Sequence, residues 1–212
     1  MNIAKQFDTL WYQGASLAFV AMVTGAALAI ASQATGPRIA EAQARKTQAA
    51  LAEVLPGNSF DNDLMADTIA VKDTDGRTVT VYRARKAGVV TGVVFGMENK
   101  GYSGTIKLVM GVDRDGRLTG VRVTGHTETP GLGDKIELAK NPWVLSFDGR
   151  SLGDPAPARW AVKKDGGIFD QFAGATITPR AVVNAVKRGL DLYAAQQATM
   201  LGEPAAPAAP QS

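Results

Sequence analysis

A short segment rich in small and hydroxyl-bearing residues stands directly before the last predicted helix of the chain. It runs from Asp170 to Pro179 and reads DQFAGATITP. Pro179 suits the first helical position, and Thr178 suits the N-cap, where a hydroxyl oxygen accepts a hydrogen bond from a backbone N–H of the first turn. Such a terminus has unpaired N–H groups and the positive end of the helix dipole, which together favour phosphate. The segment therefore predicts a phosphate-binding position, although an ordinary capped loop satisfies the same pattern.

The residues around Thr176 leave its backbone uncrowded. Gly174 has no side chain and Ala175 has only a methyl group, so a second molecule can approach the chain closely at this point. Helix physics alone still favours the loop interpretation, because threonine is a common capping residue at helix starts.

The composition excludes several kinds of chemistry. The 212 residues include no cysteine and a single histidine, His126. The chain therefore has no disulfide, thiolate nucleophile, iron–sulfur ligand or cysteine zinc site, and a histidine metal cluster or haem ligation is disfavoured. The net charge is only +3 and no basic stripe alternates with aromatic residues, which argues against nucleic-acid binding. Redox chemistry in this chain needs an organic cofactor, and no catalytic or metal-binding residues are predicted.

An apolar run predicts a membrane anchor. The stretch Gly14–Ala31 has no charged residue over about 18 positions, which is the length of a helix that crosses a bilayer. The aromatic pair Trp11-Tyr12 precedes it, where amphipathic rings favour the headgroup region. We predict a transmembrane helix over residues 11–32, preceded by a cytoplasmic segment over residues 1–10. A cleaved signal peptide is the alternative, because residues 29–32 (AIAS) have small residues at the cleavage spacing.

The rest of the chain changes from a helical to a β pattern. Residues 33–58 are rich in Ala, Gln, Glu and Arg and predict a helical connector that ends at Pro56-Gly57. A strand–turn–strand pattern then surrounds Asp75-Gly76, the run VVTGVVFGM predicts a further strand, and a second hairpin has strands at 105–112 and 118–124. Two hairpins in series predict a twisted antiparallel sheet.

Helices follow the predicted sheet. A short one is expected over Asp134–Ala139, and a longer one over Pro179–Gln196 has its apolar residues on one face. The predicted fold class is therefore α+β, with a single transmembrane helix followed by a domain over residues 59–198 in which helices pack on the sheet. Residues 199–212 contain EPAAPAAPQS and predict a disordered tail.

The segment before the last helix resembles a known modification motif. Residues 170–176, DQFAGAT, are similar to the flavinylation motif Asp-x-x-Ser/Thr-Gly-Ala-Thr of the FMN-binding family. That family is found in the G subunit of the Rnf complex and in the C subunit of the sodium-pumping NADH:quinone reductase. The resemblance implies that Thr176 carries FMN through a phosphoester bond made by a flavin transferase, which would recognise Asp170 and Gly174. Ala173 departs from the family pattern, which usually has Ser or Thr there.

A second block resembles the same family. Residues 125–136 read GHTETPGLGDKI and are similar to the His-x-Glu-Thr-Pro-Gly-Leu-Gly loop of Rnf G subunits, and residues 101–106, GYSGTI, are similar to the segment that leads into a strand in those proteins. The resemblance covers the anchor, the 99–136 region and the 165–190 region, and so nearly the whole domain.

The resemblance implies that the loop in this second block forms a binding surface for the flavin ring. Its proline and glycines hold the backbone open, so that N–H groups can meet the isoalloxazine carbonyls, and its threonines offer hydroxyls. His126 can hydrogen-bond the ring or stabilise the charge of the reduced flavin, and a structural histidine at a strand end is the alternative. Glu128 can pair with Lys135 instead of touching the flavin, and Leu132 can pack against the dimethylbenzene edge or close the core. The residues expected at the flavin site are Thr176 as acceptor, with Asp170, Gly174, Ala175, Thr178, His126, Thr127, Glu128, Thr129, Gly131, Leu132 and Lys135.

The rival acceptor within the motif is Thr178, although its place beside Pro179 favours capping. With covalent FMN as cofactor, the resemblance implies an electron-relay subunit of an ion-translocating ferredoxin:NAD oxidoreductase of the Rnf type, with no catalysis of its own. It also implies a bacterial inner-membrane location with a periplasmic domain. The implied partners are other membrane and iron–sulfur subunits, a flavin transferase and the bilayer. Two alternatives are the C subunit of a sodium-pumping NADH:quinone reductase and a non-redox, membrane-anchored binding or assembly module.

Overall fold

A computed structural model describes residues 10–57 and 59–202, except for the side chains of residue 10 and residues 37–48. The chain divides into two units between residues 46 and 47. Nearly all of the predicted cytoplasmic segment and the last ten residues of the predicted tail lie outside the described residues.

The first helix, α1, runs from Leu10 to Glu53. Over Trp11–Gly36 it is long and apolar enough to cross a membrane, with a mean hydropathy of 2.0, and its side chains there are exposed. The hydroxyl of Thr24 donates to the carbonyl oxygen of Val20 at 2.8 Å, one turn back. Such internal bonds satisfy hydroxyl groups where no water is available. The predicted span and the predicted helical connector, as far as Glu53, lie within this one helix.

The second unit is built on a five-stranded antiparallel sheet in which each strand pairs with the next along the chain. The predicted antiparallel sheet is therefore confirmed. Glycines at φ +76° and +78° occupy the β1–β2 and β4–β5 turns, because these tight turns need a left-handed residue. The strands are β1 Thr68–Lys72, β2 Thr78–Lys86, β3 Val89–Lys100, β4 Thr105–Asp113 and β5 Leu118–Gly125.

One face of the sheet is covered by the long helix α2, Ile177–Leu201, which begins two residues before and ends five residues after the predicted bounds. It continues through residues 199–201, which we predicted as the start of a disordered tail, because Met200 and Leu201 are buried. Its apolar side chains pack against the inward residues of the strands, and an aromatic group closes the end of this core. Trp143 and Phe172 meet edge to face there, with ring centroids 5.3 Å apart. The aromatic group consists of Trp143, Phe147, Trp160, Phe169 and Phe172.

The other face of the sheet receives the end of α1, where Leu51 and Val54 are buried in a smaller apolar cluster. The backbone of Val54 approaches the sheet closely because Gly111 and Gly120 have no side chains there. The hydroxyl of Thr119 also donates to the Val54 carbonyl oxygen at 2.5 Å. The two glycines therefore set how near the helix end lies to the strands.

Short 3-10 turns connect β5 to α2. They lie at Asp134–Ile136, Pro142–Phe147, Pro157–Arg159 and Lys163–Asp165. The helix expected over residues 134–139 is thus only one turn, because the backbone of Glu137 is already extended. Arg180 on α2 forms a two-pronged ion pair with Asp165, at 2.6 and 2.9 Å, which ties this connection to the first turn of the helix.

We predict that Gly111→Ala destabilises the second unit. A Cβ atom at this position lies 2.5 Å from the Val54 carbonyl oxygen, so the end of α1 must move away from the sheet. Forced overpacking of this kind lowers the free energy of unfolding by about 1–3 kcal/mol. Denaturant titration measures the change. The control is Gly125→Ala, whose Cβ meets nothing within 4 Å, and equal losses in both variants contradict the packing explanation.

We also predict a pH dependence from the ion pair of Asp165. The hydrogen bonds from Arg180 lower the pKa of Asp165 below its ordinary value. A lowered pKa contributes stability that is present above the unfolded-state value near 4 and is lost as the pH falls through the folded-state value. Asp165→Asn therefore lowers the melting temperature at neutral pH. The difference in melting temperature between this variant and the parent protein becomes smaller below about pH 4.

The matched comparison is the double variant Asp165→Asn/Arg180→Gln, which should melt like either single variant because each change already removes the pair. This role of the ion pair is contradicted if the decreases in melting temperature of the two single variants add up in the double variant. It is also contradicted if the difference in melting temperature between Asp165→Asn and the parent protein does not depend on pH.

Candidate functional site

A cavity of about 370 Å³ opens beside the first turn of α2. Ligand sites in proteins begin at about this size. Three segments that are distant in sequence surround it: the β3–β4 turn, the loop after β5 and the segment before α2. The lining residues are Tyr102, Glu128, Thr129, Leu132, Gly133, Gly174, Ala175, Thr176, Ile177 and Thr178.

The N-cap of α2 is Thr176, and not Thr178 as we predicted. The side chain of Thr178 is 1% exposed, and its hydroxyl donates to Oε2 of Glu128. The prediction was wrong because the helix begins at Ile177, two residues earlier than predicted, so that Thr178 lies inside the first turn. Its hydroxyl donates instead to a carboxylate 50 residues away in sequence.

The side chain of Thr176 is partly exposed and lines the cavity. It makes no capping hydrogen bond, so its hydroxyl is not committed to the helix. A tight turn precedes it, in which the Ala175 N–H donates to the Phe172 carbonyl oxygen at 3.1 Å. Gly174 has φ +78° within this turn, which glycine adopts without strain. The turn places Thr176 at the edge of the cavity.

The carboxylate of Glu128 lies inside the wall of the cavity and is 5% exposed. It accepts hydrogen bonds from the backbone N–H of Ser103, at 3.0 Å, and from Thr178. The sequence allowed a pair between Glu128 and Lys135, but no ion pair joins these two side chains among the described residues, and the carboxylate has Ser103 and Thr178 as its donors. Glu128 therefore joins the β3–β4 turn to the start of α2.

Both ring nitrogens of His126 have partners within the protein. Nε2 lies 2.7 Å from Oε1 of Glu137, and Nδ1 accepts a hydrogen bond from the Glu128 N–H at 3.1 Å. These bonds place the ring proton on Nε2. His126, Thr127, Gly131 and Lys135 do not line the cavity, so a flavin contact from any of them stays a prediction.

Asp170 supports the motif segment from outside the cavity. Its carboxylate lies 2.5 Å from Nζ of Lys163, and its carbonyl oxygen accepts a hydrogen bond from Nε1 of Trp143 at 2.8 Å. Since the Asp170 carboxylate is exposed, a second protein can reach it. Its recognition by a transferase stays a prediction.

Three exposed apolar side chains lie at this cavity, and only one of them was predicted from the sequence. Leu132 was expected at the site, whereas Tyr102 and Ile177 were missed. Tyr102 is 70% exposed and Ile177 is 46% exposed, and with Leu132 they give the cavity an exposed apolar surface. The family-like GYSGTI block contains Tyr102, and the position of Ile177 directly after Thr176 was the available signal for the other.

The sequence of the chain matches known protein families over most of its length. Residues 101–191 match the model of the FMN-binding domain, and residues 1–54 match that of the RnfG N-terminal region. The G subunit of the ion-translocating oxidoreductase complex of Cereibacter sphaeroides is 49% identical over 199 residues, which cover 94% of this chain and 89% of that protein. The corresponding G subunit of Pseudomonas aeruginosa is 51% identical over 191 residues, covering 87% and 89%.

Among solved structures, the NqrC of Shewanella oneidensis aligns with 68% of this chain and 76% of its own, at 23% identity and a TM-score of 0.49. The chain belongs to the family of G subunits of the ion-translocating oxidoreductase complex and contains its FMN-binding domain.

Proposed function

We propose that this chain is the electron-relay subunit of a membrane-bound ion-translocating ferredoxin:NAD oxidoreductase of the Rnf type, with FMN linked through a phosphoester to Thr176. One observation carries the choice of residue. Of the two threonines in the motif, Thr176 lines the cavity with an uncommitted hydroxyl, whereas Thr178 is buried and bonded to Glu128. A transferase needs a hydroxyl that it can reach, and this favours Thr176.

The residues of the cavity fit FMN. The first turn of α2 directs backbone N–H groups and the positive end of the helix dipole toward a phosphate attached at Thr176. The exposed side chains of Tyr102, Leu132 and Ile177 offer an apolar surface for the ring. When bound, FMN supplies the exchange of one or two electrons, and the protein supplies its position and electrostatic surroundings.

The departure from the family motif does not alter this surface. Ala173 is exposed and does not line the cavity. A methyl group in place of a hydroxyl at this position therefore leaves the wall of the cavity unchanged, and the binding-module alternative gains no support from Ala173.

We propose that α1 anchors the protein in the bacterial inner membrane over Trp11–Gly36, with the flavin domain on the periplasmic side. A covalent bond to Thr176 removes flavin dissociation, which matters where no cytosolic pool of FMN can refill the site. The partners are the membrane and iron–sulfur subunits of the complex, and a flavin transferase is needed for maturation. The name of the relatives, which denotes one subunit of an ion-translocating complex, supports this assignment.

We predict that Thr176→Val abolishes flavin attachment while Thr178→Val retains it. Valine removes the hydroxyl but keeps the side-chain volume in both variants. The full chain, produced together with a flavin transferase, is examined by in-gel flavin fluorescence under ultraviolet light and by intact mass. Only the parent and Thr178→Val should show fluorescence and the added mass of FMN.

Stability provides the matched control for this pair. Thr178→Val leaves the buried Glu128 without one of its donors, which should cost about 1–3 kcal/mol of unfolding free energy. Thr176→Val breaks no capping hydrogen bond and should leave the stability nearly unchanged. If only Thr178→Val loses the flavin, the acceptor is Thr178 and not Thr176. If the parent protein itself carries no flavin, the proposed relay function is contradicted.

A further inference from the structure

Glu128 has a role in the site beyond holding its parts together. We propose that its carboxylate sets the reduction potential of the flavin, by fixing a negative charge in the wall of the cavity. This inference rests on the proposed function, because it requires a flavin at Thr176. It assigns to Glu128 the role of a positioning residue that also tunes the cofactor electrostatically.

Both oxygens of the Glu128 carboxyl group have hydrogen-bond partners. The Ser103 N–H can only donate, and the Thr178 hydroxyl donates to the other oxygen, so both carboxylate oxygens act as acceptors. No cation forms an ion pair with Glu128 among the described residues. The charge is therefore stabilised by hydrogen bonds but is not neutralised by a neighbouring positive charge.

The surrounding backbone is shaped to admit this side chain. A Cβ atom at Gly101 lies 2.5 Å from Oε1 of Glu128, and a Cβ atom at Gly133 lies 2.8 Å from the Glu128 Cβ. A side chain at either position would force the glutamate to shift from this place. Burial of a charge is costly unless the site is built for it, and two glycines on different segments provide that space.

The effect on a flavin follows from charge balance. Two-electron reduction of the neutral oxidised ring, with uptake of one proton from solvent, adds one net negative charge to the ring. A fixed carboxylate beside the ring repels that added charge, so the reduced form is disfavoured and the reduction potential is lowered. Since Glu128 is only 5% exposed, dissolved ions screen this repulsion weakly.

The test is a spectroelectrochemical titration of the flavin-loaded full chain in detergent, at low and at high salt concentration. Glu128→Gln keeps the shape and removes the charge, so the potential should shift upward at both salt concentrations. Glu53→Gln makes the same chemical change at a carboxylate that is exposed, pairs with Arg122 and does not line the cavity. This control should leave the potential unchanged.

A second variant keeps the proposal testable if Glu128→Gln does not fold or load. Thr178→Val retains the carboxylate but removes one hydrogen bond that stabilises its charge, so the potential should shift downward, opposite to Glu128→Gln. Because the titration follows only flavin-bearing molecules, partial loading does not affect it. A purely structural role lowers the melting temperature of both variants and leaves both potentials unchanged.

The outcomes separate this proposal from the function on which it rests. A loaded parent whose potential does not move in Glu128→Gln, or moves downward, overturns the tuning role and leaves the relay function intact. A parent that takes up no flavin overturns the proposed function itself.

Discussion

The buried hydrogen bond from Thr178 to Glu128 joins the parts of the protein that form the site. It connects the first turn of α2 to the loop after β5, and the second oxygen of Glu128 reaches the β3–β4 turn through Ser103. All three segments surround the same cavity. The bond also commits the hydroxyl of Thr178, which leaves Thr176 as the threonine of the motif whose hydroxyl is uncommitted at the open space.

The sheet and α2 give this bond a rigid frame. The helix is held along its length by apolar contacts with one face of the sheet, and Asn99 of β3 donates to the Ala181 carbonyl oxygen at 3.0 Å near the start of the helix. Arg180 adds the ion pair to Asp165. A cofactor attached at Thr176 would therefore be carried on a helix end that has little freedom to move, which suits transfer of electrons between fixed positions.

Local signals in the sequence were sufficient to predict the strands and the existence of the last helix. The turn at Asp75-Gly76 and the apolar face of the last helix depend on residues that are neighbours in sequence, and the structure confirms both. The N-cap prediction for Thr178 failed because the helix begins two residues earlier than Pro179 indicates, which places Thr178 within the first turn, where it bonds to a distant carboxylate. The pairing of His126 with Glu137 and the exposure of Tyr102 likewise depend on how separate segments meet in the fold, which residue spacing does not encode.

The central claim is a phosphoester at Thr176, and peptide mapping of the protein isolated from its own membranes tests it most directly. Trypsin cuts after Lys164 and Arg180, so one peptide, residues 165–180, contains both threonines. The account predicts that this peptide carries the mass of FMN, and that fragments beginning at Ile177 are unmodified while fragments that include Thr176 are modified. An unmodified peptide, or a modification confined to the fragment that contains Thr178, would contradict it.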